Sequence, residues 1–247
     1  MTTLRKYLRL LRLKIKRKDF FFQLLISEHR KSKRDMDFSQ HGEQVILQKL
    51  LANRNPGHYI DIGAGLPVTG SNTFFLYKVG WSGVLIDPLT KPKLLATILR
   101  PRDRFEKVAI GANERQFFYE FYPYQFSTFS QTEAEKLIST SRAILVRKKN
   151  LRFRKLSDIF ESLPKNAFVF LSVDAEGLDL EVIKTLDLNI QRPRVICIED
   201  HENETPMSSI KTYLEKNEYI HYANAGISSV YIDRQYDSLE DRGGGGI

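Results

Sequence analysis

The chain has 247 residues, enough for one α/β domain with a sizeable core and an appendage. Its 42% apolar and aromatic content is ordinary for a globular protein, and no run approaches the ~18 apolar residues that a bilayer-spanning helix needs. The single Cys197 excludes an internal disulfide and a Cys-rich zinc site; inside an apolar run it reads as a small packing residue.

The net charge of +8 is lopsided. Residues 1–34 hold twelve Lys or Arg against Asp19 and Glu28, a charge of +10, and the rest of the chain carries −2. Within this basic arm Leu4, Leu8, Leu11 and Ile15 recur at helical spacing, and Phe20, Phe21 and Phe22 come directly after. A basic amphipathic helix of this kind suits an anionic membrane surface. It equally suits packing on its own domain or on a second subunit, and both readings stay open. The aromatic residues are clustered rather than interleaved with the basic ones, which argues against a nucleic-acid partner. Basic residues run throughout the N-terminal stretch, unlike a secretory signal. The expectation is a cytoplasmic protein, with the arm able to place it at the inner face of the membrane. The expected divisions are the arm at 1–34, separable from a catalytic domain at 35–235, and a flexible glycine-ended tail at 236–247.

After a charged linker at 30–37, Glu43–Leu51 reads as a helix with Val45, Ile46, Leu50 and Leu51 inward. The breakers of 53–57 end it. Tyr59–Ile62 is a strand with apolar residues on both faces, and Asp61, Gly63 and Gly65 form D-x-G-x-G with Ala64 between the glycines. Ser71 is a candidate cap for a helix over Asn72–Val79. Val84–Ile86 is a second strand that ends at Asp87. This is half of a doubly wound sheet, where ligands sit beyond the carboxyl ends of the strands. Asp87 is placed to accept hydrogen bonds from ribose hydroxyls. The glycines allow a close ligand approach, and Asn72 and Thr73 stand at the first turn of the next helix. A dinucleotide turn would read G-x-G-x-x-G, but Val68 occupies the third glycine position. An acid two residues before the first glycine suits an S-adenosylmethionine site instead.

Pro92 is expected to start a helix over Lys93–Leu99, and Phe105–Ile110 to form a third strand. Phe117–Phe121 reads as an added strand, Glu133–Ile138 as a short helix, and Ser157 as the cap of a helix over Asp158–Ser162. Strand Phe168–Val173 leads to Asp174, Glu176 and Gly177, then to a helix over Leu180–Leu186. Val195–Ile198 is a fifth strand, ending at Glu199, Asp200 and His201. A helix over Pro206–Lys216 precedes Tyr219–Ala223 and Ser229–Asp233, a closing hairpin.

Taken together, DIGA at Asp61–Ala64, the acid at Asp87, VAIG at Val108–Gly111, STFS at Ser127–Ser130, D-x-E-G at Asp174–Gly177 and the strand ending in Ile198-Glu199 resemble the FkbM family of S-adenosylmethionine-dependent methyltransferases. The resemblance covers roughly Ser39 to Arg234, and departs from the family's commonest turn at Gly65–Val68. It implies a class I methyltransferase Rossmann-like α/β sheet, mostly parallel, with a C-terminal antiparallel hairpin. It implies S-adenosylmethionine as cofactor and O-methylation of a hydroxyl on a small-molecule or glycan acceptor: a sugar of a glycan, glycolipid or secondary metabolite. In the family a Ser-Gln…Gly-Glu segment precedes the cofactor turn, which nominates Gln44 for the cofactor, with Gln40 and Glu43 as alternatives.

The cofactor set is therefore Gln44, Asp61, Gly63, Ala64, Gly65, Asn72, Thr73 and Asp87. Asp174 and Glu176, just past the fourth strand, are candidates for acceptor contact, and His201 for the general base. Glu176 also reads as a cap of the next helix. Asp174 with Glu199 or Asp200 has the oxygen chemistry of a Mg²⁺ site, but no dedicated ligand loop is present and no metal is assigned. Two rival readings remain: an NAD(P)-dependent oxidoreductase, and a methyltransferase-fold binding protein without activity.

Overall fold

The computed structural model describes residues 20–51, 54–112, 114–175, 177–203 and 208–235. The chain is helical over residues 20–32 (α1) and again over Glu43–Leu51 (α2). Alternating units come after these helices: β1 (His58–Ile62), α3 (Phe74–Lys78), β2 (Ser82–Ile86), α4 (Thr90–Leu99), β3 (Arg104–Glu106). A small insertion comes next, with β4 (Ala109–Ile110), β5 (Arg115–Tyr122), a 3₁₀ turn (Tyr124–Phe126), α5 (Gln131–Ser139) and β6 (Ile144–Arg154). The chain then returns through α6 (Leu156–Phe160), β7 (Val169–Val173), α7 (Asp179–Ile183), β8 (Val195–Glu199), α8 (Ser209–Lys216), β9 (Tyr219–Ala225) and β10 (Ser228–Asp233).

Seven strands make one sheet in the order β3-β2-β1-β7-β8-β10-β9. The first five run parallel, and β10 closes the sheet antiparallel to both β8 and β9. The central strands are apolar on both faces because helices cover both. Ile60, Ile62, Leu171 and Ile196 pack toward α6, α7 and α8. Tyr59, Leu85, Phe170 and Cys197 pack toward α2, α3 and α4, together with the buried Trp81. Cys197 is fully buried there, in the packing role its run of apolar neighbours suggests.

Several expected boundaries change. The expected third strand is two: β3 joins the main sheet, whereas β4 pairs with β6 in a separate three-stranded sheet, β4-β6-β5. β6 itself has no counterpart among the expected strands, because its Arg and Lys residues hide its alternation. α3 starts at Phe74, since Ser71 accepts the Thr73 and Phe74 amides before the helix begins. α4 starts two residues before Pro92, and Ser157 lies inside α6 rather than at its cap. In α2 the buried residues are Glu43, Gln44, Leu47 and Leu51, whereas Val45 is exposed.

The first nineteen residues of the expected arm and the expected tail at 236–247 lie outside the described residues. The described remainder of the arm is not separate. Glu28 of α1 is buried against the domain, and Lys78 donates to the Arg34 carbonyl at 3.0 Å. Among the described residues no helix is long and apolar enough to cross a membrane.

Candidate active site

The parallel strands β1, β2, β7 and β8 all end at one cavity of about 500 Å³. The strand ends supply its lining: Gly63–Gly65 after β1, Asp87–Leu89 after β2, Asp174 and Ala175 after β7, and Glu199 at the end of β8. Val108–Ile110 add an apolar edge. The small sheet and its turn close the opposite wall with Phe118, Tyr124, Ser127 and Phe129. Phe129 is held between Phe118 and Phe153, with ring centroids at 4.8 and 5.2 Å.

Gly63 has φ +73°, and a Cβ on it would lie 1.8 Å from the Asp174 carbonyl oxygen. Only glycine permits this left-handed turn with β7 so near. The Gly63 and Ala64 amides donate to the Ile86 carbonyl at 2.9 and 3.1 Å, and the Asp174 amide to Ile62 at 3.0 Å. These bonds fix the turn to its neighbours on both sides. The Asp87 carboxylate accepts the Leu89 amide at 2.7 Å and the Gly65 amide at 3.2 Å. Burial pushes its pKa up to about 6, against the pull of those two amides, and the charge of Asp61 adds to the rise.

The expected site residues therefore divide. Gly63, Ala64, Gly65, Asp87 and Asp174 line the cavity together. Asp61, Thr73, Asn72 and Gln44 do not. The Asp61 carboxylate turns below the glycine turn and accepts the Thr73 hydroxyl at 2.5 Å. Thr73 in turn accepts from Arg100, an almost fully buried guanidinium that also binds Asp103, Tyr59, Ser71 and the Pro67 carbonyl. Desolvation pushes the Asp61 pKa up, opposed chiefly by the Arg100 charge. Asn72 donates toward Ser172 at 3.3 Å, under the sheet. Gln44 accepts the Phe38 amide and donates to the Met36 carbonyl, bracing the segment before α2. The neighbouring Gln40 is the residue of that segment that lines the cavity, opposite Gly70.

His201 is exposed and lies outside the lining, with Nε2 3.7 Å from Glu199 Oε2. Glu199, not singled out as a base from the sequence, lines the cavity instead. Glu176 lies outside the described residues. Beside it, Asp179 in the first turn of α7 accepts the Ala175 and Gly177 amides at 2.7 and 3.1 Å. Burial pushes the Asp179 pKa up to about 6, opposed by the Ala175 amide and reinforced by the nearby Glu199. Asp200 is spent on the loop, where it accepts the Glu202 amide and the Ser208 hydroxyl. Among the described residues no group of three or more His, Cys, Asp or Glu is arranged to hold a metal ion.

The aromatic wall was missed in the sequence; of this wall only the STFS segment at Ser127–Ser130 was singled out, as a carrier of the family resemblance. Alternation over Phe117–Phe121 revealed the strand, but nothing local showed that Phe118, Tyr124 and Phe129 line the cavity, 53 to 64 residues after Gly65.

A family model described as Methyltransferase FkbM domain matches residues 61–221. No curated protein and no solved structure matches the chain. The match spans the cavity's strand ends, its small-sheet wall and the start of the closing hairpin, and the mostly parallel seven-stranded sheet is consistent with a methyltransferase fold.

Proposed function

The chain belongs to the FkbM methyltransferase family, and from that premise we propose that it is a class I, S-adenosylmethionine-dependent O-methyltransferase with a Rossmann-like fold. The observation that carries this reading is the cavity: a glycine turn and Asp87 on one side, and Asp174 and Glu199 at neighbouring strand ends. The donor set suits the cofactor. Asp87 keeps acceptor capacity for ribose hydroxyls beyond its two backbone bonds, as a carboxylate has about four lone-pair sites. Val108, Ile110, Phe118 and Phe129 offer an apolar slot for a flat base, and Gly63–Gly65 let backbone approach the rest of the molecule. When bound, S-adenosylmethionine supplies an electrophilic methyl group.

The chain's own part is to position an acceptor and take its proton. Besides Asp87, the carboxylate residues lining the cavity are Asp174 and Glu199, and Gln40 adds an amide at the same site. A hydroxyl bound among them can pass its proton to a carboxylate, and His201, 3.7 Å from Glu199 and exposed, connects that carboxylate with solvent. A polar acceptor such as a sugar hydroxyl suits this end. The G-x-G-x-x-G turn of a dinucleotide enzyme is lacking, since Val68 is buried where its third glycine would stand.

The outward face of α1 carries Phe22 and Ile26, 61% and 51% exposed, with exposed Arg30 and Lys33 further along. That combination supports an anionic membrane surface as a partner of the arm. Co-sedimentation with anionic liposomes, weakened by added salt, tests it; equal sedimentation with neutral liposomes would refute it.

The catalytic reading is tested by transfer of a labelled methyl group from S-adenosylmethionine to a panel of saccharides, read by mass spectrometry. Transfer that Asp174→Asn abolishes while leaving S-adenosylhomocysteine binding within a few-fold supports it. Binding of NAD in place of S-adenosylhomocysteine would overturn it.

A further inference from the structure

The helix α1 lies before the matched family domain, yet it reaches both walls of the cavity. On one wall, Glu28 has no solvent exposure, and its carboxylate accepts the Val68 amide at 3.1 Å, the Thr69 amide at 2.9 Å and the Thr69 hydroxyl at 2.6 Å. Lys31 donates to the same hydroxyl at 2.8 Å. Thr69 and Gly70 line the cavity, in the segment that continues the glycine turn. On the other wall, the Phe20 ring meets Tyr122 edge-on at 6.2 Å. The Lys91 ammonium lies over the rings of Phe20, Tyr122 and Tyr124 at 4.8, 5.9 and 5.8 Å, and Tyr124 lines the cavity. Eight residues of helix, about 12 Å, separate Phe20 from Glu28.

An apolar side chain at position 28 would pack this helix as well as a carboxylate does. It would leave the Val68 and Thr69 amides without their acceptor, and a buried carboxylate is costly unless hydrogen-bonded. The donors that Glu28 satisfies belong to the loop, not to its own helix. Its chemistry therefore serves the loop backbone.

We infer that α1 is a strut between the two walls of the cofactor cavity, and that Glu28 is the positioning residue for the loop Gly65–Gly70. This rests on the cofactor reading above. The tail of the glycine turn is otherwise held at its start, by Asp87 on the Gly65 amide and Arg100 on the Pro67 carbonyl, and at its end, by the Phe38 carbonyl and Arg100 on Ser71. The strut adds a third fixed point between them, supplied from outside the family domain. Its consequence is that cofactor affinity depends on a residue some 40 positions before the loop.

The test uses the full chain and the variants Glu28→Ala, Glu28→Gln and Gln23→Ala, the last an exposed residue of the same helix. S-adenosylhomocysteine affinity is measured by calorimetry below each variant's melting temperature, and amide hydrogen exchange is followed at Val68 and Thr69. Glu28→Ala should weaken affinity about tenfold and speed exchange of the two amides by at least about tenfold. Glu28→Gln keeps one carbonyl oxygen as acceptor and should fall between it and the wild type. Gln23→Ala should match the wild type. A merely structural role would lower the melting temperature and leave the affinity of the folded protein and the exchange of the two amides unchanged, and that result overturns the inference. Should Glu28→Ala not fold, the isosteric Glu28→Gln carries the same comparison. If the wild type itself ignored S-adenosylhomocysteine, the cofactor reading would fall, and the exchange rates would still decide whether Glu28 holds the loop.

Discussion

The two walls of the cavity are built by different physics. The floor comes from parallel strands that are paired on both sides, so Gly63, Asp87 and Asp174 are located by backbone bonds to neighbouring strands. The opposite wall comes from a three-stranded insertion, where Phe129 is located by ring packing against Phe118 and Phe153, and Tyr124 lies under the Lys91 ammonium that also covers Phe20 of α1. A backbone-located wall is all-or-none under mutation, whereas a packed wall gives way by degrees. The floor suits chemistry that every member of a fold shares, and the packed wall suits adjustment of what is bound.

The comparison is broken most severely at Gly63. Its Cβ would stand 1.8 Å from the Asp174 carbonyl oxygen at φ +73°, and neither strand can move alone. Gly63→Ala should cost about 3 kcal/mol of stability or more and abolish S-adenosylhomocysteine binding. Thermal melting checks this; a variant melting with the wild type would show that the floor is not rigid. Next is Asp87→Ala, which on the proposed cofactor reading removes charge-assisted hydrogen bonds worth roughly 1.5–3 kcal/mol, so calorimetry should show a fall in affinity of about tenfold or more.

The same carboxylate gives a pH dependence with a definite sign. Ribose hydroxyls need the ionised form, and burial holds the pKa at about 6. Affinity for S-adenosylhomocysteine should therefore fall about tenfold from pH 7 to pH 5, and this slope should vanish in Asp87→Asn. Stability runs the other way. A raised carboxyl pKa favours folding at low pH, and that contribution is lost as pH rises from about 4 through about 6. Melting of wild type against Asp87→Asn across this range reads it. The smallest effect belongs to the packed wall. Phe129→Ala should cost about 2 kcal/mol and lower affinity only a few-fold, because Phe118 and Phe153 relax into the space. A total loss of binding would give this wall the same all-or-none character as the floor.

The floor was also the legible half. Strands buried on both faces read as short apolar runs, and β1, β2, β7 and β8 are legible to within one or two residues for that reason. Their ends named Asp87 and Asp174. Legibility failed where the partner is distant in sequence. Asp61 looks like a ligand residue because it precedes the glycine turn, but Thr73 and the charge of Arg100 hold it below the turn. Glu28 looks like one acid in a basic arm, and only the folded chain brings it to Thr69. β6 hides because Arg and Lys fill much of it and its burial alternates only from Lys148 onward, so no alternating apolar pattern marks the strand. In α2, Ile46, Leu50 and Leu51 pack inward as expected, but Val45 is exposed, and Glu43 and Gln44 are buried with hydrogen bonds to Ser228 and to the chain before the helix.

The central claim is that the cavity at the ends of β1, β2, β7 and β8 takes S-adenosylmethionine. Calorimetric titration of the full chain with S-adenosylhomocysteine, repeated in excess NAD, tests it most directly. The account predicts one site per chain, unaffected by NAD and weakened about tenfold or more by Asp87→Ala. No binding, or binding that NAD displaces, would contradict it.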